Sequence, residues 1–407
     1  MKKLLSLLVI LTLFVSCKNE VNPPVEEAQP IKLTAVQKQK VVQDNDFAFE
    51  LMKQVLAETD ESNVFISPLS VSIALGMTWN GAVGDTKTEM GKTLKMSGMS
   101  EKEINEYYKL MQSTLPTVDP KTKFSIANSI WYRNTFSVKP DFLKTNIDYF
   151  NAEVSSLDFD SPDAPGIINN WCSENTNGLI PEVIDEIDKA TVMFLINAIY
   201  FKGIWVKQFK KEETNEGNFT NELNQNVKVN FMNKTDTFAY AEDEYAQYLE
   251  MPYGNKAFSM TVILPKKTES NSTTFSGLTA ERFNKAVEKM TNKEVTVMFP
   301  RFKVKNRFEL TPMLQPMGML KAFLPIAEFD GISDMKPLYI GFVQHDTYVE
   351  VTEEGTEAAA VTTIGMKNTS MPSHPYFIAN KPFAFVIKEK SSGIILFMGK
   401  MGSVEKH

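Results

Sequence analysis

The chain has 407 residues, 43% of them hydrophobic and 23% charged, which is enough apolar material for a large buried core. Its formal net charge of −7 argues against a nucleic-acid partner, since phosphate binding needs a concentrated Lys/Arg face. With three histidines, two cysteines and no zinc-ligand spacing, neither a metal nor a cofactor is expected.

The amino terminus reads as a targeting signal. Lys2 and Lys3 precede an apolar run, Leu4 to Phe14, and "FVSC" ends at Cys17. This resembles a bacterial lipoprotein signal, in which Cys17 becomes the lipidated first residue; a conventional signal peptide with a coincidental cysteine is the alternative. The apolar run is too short for a transmembrane helix. Residues 18–40, opening with "KNEVNPPVEEAQP", are polar and Pro-rich and are expected to form a flexible tether. The implied location is the outer membrane of an exporting bacterium, on a side left open, with the lipid as the only membrane contact.

Residues 41–405 are expected to form one domain, because the polar loops "LDFDSPDAPG" from Leu157 and "PKKTESNSTTFSG" from Pro265 separate no regions of different composition. "GAVGDTKT", Gly81 to Thr88, imitates a phosphate-binding loop but lacks the Gly directly before Lys87 that lets the backbone wrap a phosphate. Cys172, in the amphipathic "IINNWCSEN", is expected to be a small buried thiol, and with Cys17 lipidated no intrachain disulfide is possible.

Nucleophilic catalysis would need a histidine held by a scaffold. His407 ends the chain, His374 lies between Ser373 and Pro375 in a long loop, and only His345 is expected to be anchored. Carboxylates form no recognisable pair, although a dispersed acidic site stays open. The chain is not expected to be an enzyme.

The loop "EEGTEAAAVTTIGMKNTSMPSHP", Glu353 to Pro375, joins two strand-like segments, Thr347 to Glu353 and Phe383 to Ile387, and is longer than ordinary connections. Written as a strand, one face carries Thr356, Ala358, Ala360, Thr362, Ile364 and Met366, all uncharged, while Glu357 and Lys367 share the other. A surface helical turn is the alternative, weakened by the β-branched run Val361 to Ile364. The pattern suits a strand with one buried face, yet no turn on either side is expected to place it in a hairpin.

"EEGTEAAAVT" resembles the reactive-loop hinge of the serpin family. "NVFISPLSVSIALGMTWNGA", "NAIYFKGIW", "MPYGNKAFSMTVILP", "VTVMFPRFKV", "KPFAFVI" and "ILFMGKM" follow the family's motifs in order, from about Phe47 to Met401. The resemblance implies an α+β fold: a single serpin domain of three β-sheets and eight or nine helices with an exposed reactive-centre loop at about 353–375. It implies a monomeric inhibitor that traps serine proteases as a covalent acyl-enzyme while the cleaved loop inserts into the main sheet. The alternative is a non-inhibitory serpin-fold binding protein or protease substrate.

On that resemblance, Glu353, Gly355, Thr356, Ala358, Ala359 and Ala360 form the hinge. Arg301 is Glu353's partner, Trp205 lies where insertion starts, and Ser67, Ser70, Asn197 and His345 make the latch under the sheet. The reactive bond falls between Thr369 and Ser370, with Met366, Lys367 and Met371 as alternatives. Thr369 or Met371 suits elastase-, chymotrypsin- or subtilisin-like enzymes, and Lys367 a trypsin-like one.

Overall fold

The computed structural model describes residues 28–266, 275, 277–356 and 374–406. The first helix, α1 (Ala35–Glu58), begins at a Thr34–Gln37 capping box in which each side chain satisfies the other's backbone N–H. That start lies inside the stretch read as a tether. Ile31 is already buried with its N–H on Ser391 Oγ, and Lys40 is fully buried beside Asp44, so residues 31–40 pack on the domain, which corrects the expectation that they are tether. Helical spacing of Val41, Phe47 and Leu51 onto the core carries the ordered chain back past position 41.

After β1 (Asn63–Ile66), Ser67 caps α2 (Pro68–Trp79), which is buried nearly all round. The phosphate-loop imitation is the start of α3 (Gly84–Thr93), where Lys87 pairs with Glu101 and lies over the Trp79 ring. Then follow α4 (Glu101–Thr114), β2 (Lys123–Arg133), α5 (Pro140–Phe150), β3 (Ala152–Leu157), α6 (Ala164–Asn175) and β4 (Met193–Lys202). The rest comprises β5 (Asn215–Thr220), β6 (Asn226–Glu242), β7 (Ala246–Pro252), β8 (Phe258–Pro265), α7 (Ala280–Glu288), β9 (Thr291–Pro300) and β10 (Phe302–Glu309). The short α8 (Thr311–Leu314), β11 (Gln344–Val351), β12 (Tyr376–Ile378), β13 (Phe383–Glu389) and β14 (Ile395–Met401) complete it.

Eight α-helices and three sheets are thus present among the described residues, as the resemblance implied. The largest sheet has the order β1-β14-β13-β8-β7-β6-β9-β12, with β5 on β6, and its buried strands are continuous apolar runs such as Phe258–Pro265. In front of it stand two smaller ladders, β3-β2-β4 and β10-β11. Among the described residues no ladder joins β4 to β11. The opening between them, a cavity of about 670 Å³, is lined by Ile196, Asn197 and Ala198 of β4 and by Gln344, His345 and Asp346 of β11.

Helix α6 covers the outer face of the three-stranded ladder through Ile168, Trp171 and Cys172 against Trp131, Phe194 and Ala198. Cys172 is the buried thiol expected, and burial pushes its pKa up to about 12, which keeps it an inert packing group.

Candidate functional site

Strand β11 alternates strictly, with His345, Thr347, Val349 and Val351 turned inward. It ends in a tight turn. Thr352 N–H donates to Gly355 O at 2.8 Å and Gly355 N–H returns to Thr352 O at 3.2 Å. This corrects the expectation that no turn precedes the loop: Thr-Glu-Glu-Gly reverses the chain, although only its glycine is a turn former. Gly355 has φ +152°, and a Cβ there would lie 2.0 Å from Gly203 O, so both the backbone angle and the contact require glycine.

The reversal lays the hinge between the carboxyl ends of β4 and β11. Thr356 bridges antiparallel to Val351 on one side and donates its N–H to Gly203 O at 2.8 Å on the other. Trp205 N–H donates to Glu354 O and Phe209 N–H to Glu353 O, at 2.7 and 2.9 Å. The first hinge residues therefore already link the end of β4 to the end of β11. Thr356 is 3% exposed, and its hydroxyl sits 2.9 Å from that of Tyr253, whose ring stacks on Trp205 at 4.3 Å. Burial raises the Tyr253 phenol well above its ordinary value, so it remains a neutral hydrogen-bonding group. Trp205 Nε1 also donates to Thr352 O at 3.0 Å.

Glu353 is 1% exposed. Burial pushes its carboxyl upward, but Arg301 Nε at 2.7 Å, Arg301 Nη2 at 2.5 Å and the Thr214 hydroxyl at 2.5 Å hold it below the usual range, as an anion. The pairing implied for Glu353 and Arg301 is thus present, with Thr214 as a third member that sequence reading missed.

Deeper along the opening, the four latch residues do not form one cluster. Ser67 N–H donates to His345 Nε2 at 2.9 Å, Ser67 Oγ donates to Leu396 O, and Ser70 N–H reaches Ser67 Oγ at 3.3 Å. Burial lowers the His345 pKa to about 4, so the ring is neutral and accepts at Nε2. Asn197 lies on the opposite wall, where its Nδ2 donates to Asn128 Oδ1 at 2.7 Å. Asn128 in turn donates to Phe150 O at 2.6 Å. His345 belongs to the α2 side and Asn197 to the β2–β4 side, so the expected group of four is split across the opening.

The chain is described again from His374. This histidine is anchored, contrary to the expectation that only His345 would be: its Nε2 lies 2.8 Å from Thr296 Oγ1. Residues Tyr376–Ile378 then pair parallel with Thr296–Met298 of β9. Ala358, Ala359, Ala360, the Met366–Met371 segment with Thr369 and Ser370, and Cys17 lie outside the described residues. Tyr253, Gly203 and Asn128 were also missed. The first two stand inside the motifs "MPYGN" and "FKGIW", where an aromatic and a glycine read as ordinary packing.

A family model described as "Serpin (serine protease inhibitor)" matches residues 42–404. Serpin B8 of Homo sapiens is 35% identical over 366 residues, covering 88% of this chain and 97% of that protein. Leukocyte elastase inhibitor of Bos taurus is 33% identical, covering 88% and 97%. The crystal structure of a thermophilic serpin, tengpin, in the native state superposes with a TM-score of 0.84 at 34% identity, covering 93% of this chain and 98% of that one.

Proposed function

The chain belongs to the serpin family of protease inhibitors, and from that premise we propose that it traps serine proteases as a suicide substrate. Protease inhibition in general rests on the family and on relatives such as the leukocyte elastase inhibitor. The protease class and the trapping mechanism are our reading. The observation that carries it is the position of the hinge: Thr356, uncharged and buried, lies between the ends of β4 and β11 with its backbone bonded to Gly203.

The protease serine adds to the carbonyl carbon of Thr369, the bond to Ser370 breaks, the new amino terminus leaves with the proton, and the ester remains. Freed at one end, the hinge side extends the strand begun at Thr356 along β11. The residues that share Thr356's parity in sequence, Ala358, Ala360, Thr362, Ile364 and Met366, carry no charge that would have to be desolvated. Small or apolar residues at Thr369 and Met371 favour elastase-, chymotrypsin- or subtilisin-like enzymes, and Lys367 or Met366 supplies a second bond. The chain itself supplies no catalytic group.

Incubation with an elastase-like and a subtilisin-like protease is expected to give a complex that survives boiling in detergent, with a released fragment beginning at Ser370 by mass. Cleavage without any complex, across both enzymes, would make the protein a substrate or binding protein and end this reading. We further propose that the inhibitor acts as a monomer held to a bacterial outer membrane by lipid on Cys17. Cys17→Ser is then expected to move it from the membrane to the soluble fraction, and equal partition of the two forms overturns the anchor.

A further inference from the structure

Apolar side chains are left in water very unevenly over the surface. Of the fifteen large hydrophobic side chains exposed among the described residues, six fall in the segment from Leu320 to Phe342. Single exposed apolar residues are ordinary, but a cluster marks a surface that meets something other than water. Ile326 is 66% exposed, and Leu320, Leu324, Met335 and Tyr339 are each close to half exposed. Phe342, the sixth, packs on Phe194 and with Met335 and Tyr339 forms the lip of the opening.

The segment's main chain is fastened. Leu320 and Lys321 donate their N–H groups to the Glu89 carboxylate at 3.0 and 2.7 Å, and Ile340 N–H donates to Ala322 O at 2.8 Å, which sets Tyr339 beside the single helical turn Lys321–Phe323. Glu328 accepts the Asp85 and Thr86 N–H groups at the start of α3, at 2.8 and 3.2 Å. Leu320, Leu324 and Ile326 therefore project from a backbone whose polar groups bond inward, so covering this face with an apolar medium strands few of them.

The border and the place of the face narrow what covers it. Three lysines at the border are paired with acids, Lys321 with Asp85, Lys336 with Asp330 and Lys139 with Asp334, so the rim is close to neutral and does not select a polyanion or an acidic peptide. Aliphatic side chains with a tyrosine and lysine stems around them suit the boundary of a lipid bilayer, where the aliphatics enter and the polar tips stay at the headgroups. The segment also runs directly into Gln344, the first residue of β11, whereas the hinge follows Val351 at that strand's other end. At about 3.3 Å per residue the face lies about 23 Å from the hinge along the strand.

We propose that this pole, through Leu320, Leu324, Ile326, Met335 and Tyr339, rests in the outer leaflet boundary of the bilayer that holds the Cys17 lipid, and so turns the hinge and loop away from the membrane toward arriving proteases. The inference rests on the lipid-anchor reading above. Ten residues, 18–27, separate Cys17 from Ala28 and span at most about 33–36 Å. A connection of that length brings the domain to the bilayer without choosing which side faces it; the apolar pole makes the choice.

The test uses the mature protein purified from the membranes of a Gram-negative host and reconstituted in phosphatidylcholine vesicles. Cys172 is buried, so Ile326→Cys supplies one accessible thiol for an environment-sensitive fluorophore, and Leu223→Cys, on the exposed β5–β6 turn near Asn380, supplies the control. The label at position 326 is expected to shift to shorter wavelength and to be quenched by brominated acyl chains about fivefold more than the label at 223, as for a face lying about 5–10 Å into the boundary. With the label moved to Met335→Cys, adding Leu320→Asp and Ile326→Asp should remove most of the quenching, and circular dichroism shows whether that variant is folded. Equal quenching at 326 and 223, or quenching at 335 that survives the two aspartates, overturns the proposal. Crosslinking through the thiol at 326 to a second copy, without quenching, overturns it too and makes the face a contact between copies. If the anchor reading fails, the mature wild type is found in the soluble fraction instead; that protein is then mixed with the same vesicles, and quenching at 326 upholds the face while its absence rejects it.

Discussion

The two ends of the loop are fastened by different physics. At the proximal end the backbone turns through Gly355, and Thr356 bridges two strands with its side chain buried and a buried carboxylate paired alongside. At the distal end three residues pair with one strand, and Glu294, the charged partner of His374, is 65% exposed. A buried contact stays strong because water does not compete with it, whereas an exposed pair is screened and individually weak. The proximal end is held by buried contacts and the distal end by more exposed ones. That asymmetry is what the proposed mechanism asks for, in which the hinge side inserts after the loop is cut.

The largest effect is expected from charging the proximal seat. Thr356→Arg would place a cation where the native side chain is 3% exposed, and burying an unpaired charge costs several kcal/mol. The arginine is therefore expelled from the seat in the uncut protein, and insertion, which has to bury it, slows on the order of a hundredfold or more. The protease should then finish hydrolysis before the strand extends, so the gel shows cleaved chain with almost no stable complex. A variant that traps as well as wild type would mean the hinge does not enter the sheet through this seat, and the contrast between the ends would collapse.

Breaking the buried pair comes next. Arg301→Ala leaves Glu353 with the Thr214 hydroxyl as its remaining side-chain partner, and the cost should be about 2–3 kcal/mol by urea unfolding, discounted because the Arg301 side chain is 29% exposed. His374→Ala at the other end should cost within about 1 kcal/mol. Adding Glu353→Gln to Arg301→Ala should restore part of the loss. Equal costs at the two ends would refute the difference in burial as its cause.

The wall between the two ends carries its own titration. The His345 pKa lies at about 4 in the folded protein, below the ordinary 6.5, because burial penalises the charged ring. The unfolded chain therefore binds the extra proton first. Stability should be flat above about pH 7, fall by at most about 3 kcal/mol as pH drops from 6.5 to 4, and not fall further from this cause below that. His345→Gln should flatten that slope. A wild-type slope unchanged by the substitution would assign acid lability to the carboxylates instead.

Much of this was legible in the chain because it resides in strings. "NVFISPLSVSIALGMTWNGA" became a strand and a buried helix, and the pairing of Glu353 with Arg301 followed from motif position. What escaped depends on which strands end side by side. Thr214 and Tyr253 reach the hinge from 139 and 103 residues away, and nothing local marks either. The turn after Val351 hides in two glutamates whose propensity suggests no reversal; it forms because the Trp205 and Phe209 N–H groups donate to the carbonyls of Glu354 and Glu353. Asn197 was grouped with His345 because motif position does not say on which wall of an opening a residue stands.

Tyr253→Phe should give the smallest of these effects and the most specific one. The phenol is fully buried beneath the stacked Trp205 ring, with the Thr356 hydroxyl 2.9 Å away. Removing it strands that hydroxyl without its partner, at a cost of about 1–2 kcal/mol. Thr356→Val strands the phenol at a similar cost. The double variant removes both polar atoms and leaves two apolar surfaces of nearly the same shape, so its cost should fall short of the sum by about 1 kcal/mol. Hydrogen exchange locates the effect: the Thr356 amide, which donates to Gly203 O, should open faster in Tyr253→Phe, while the Ala379 amide beside β12 should not change. Strict additivity in the double variant, or faster exchange at Ala379 to the same degree, would mean that the two ends of the loop loosen together and that the proximal seat is not an independent anchor.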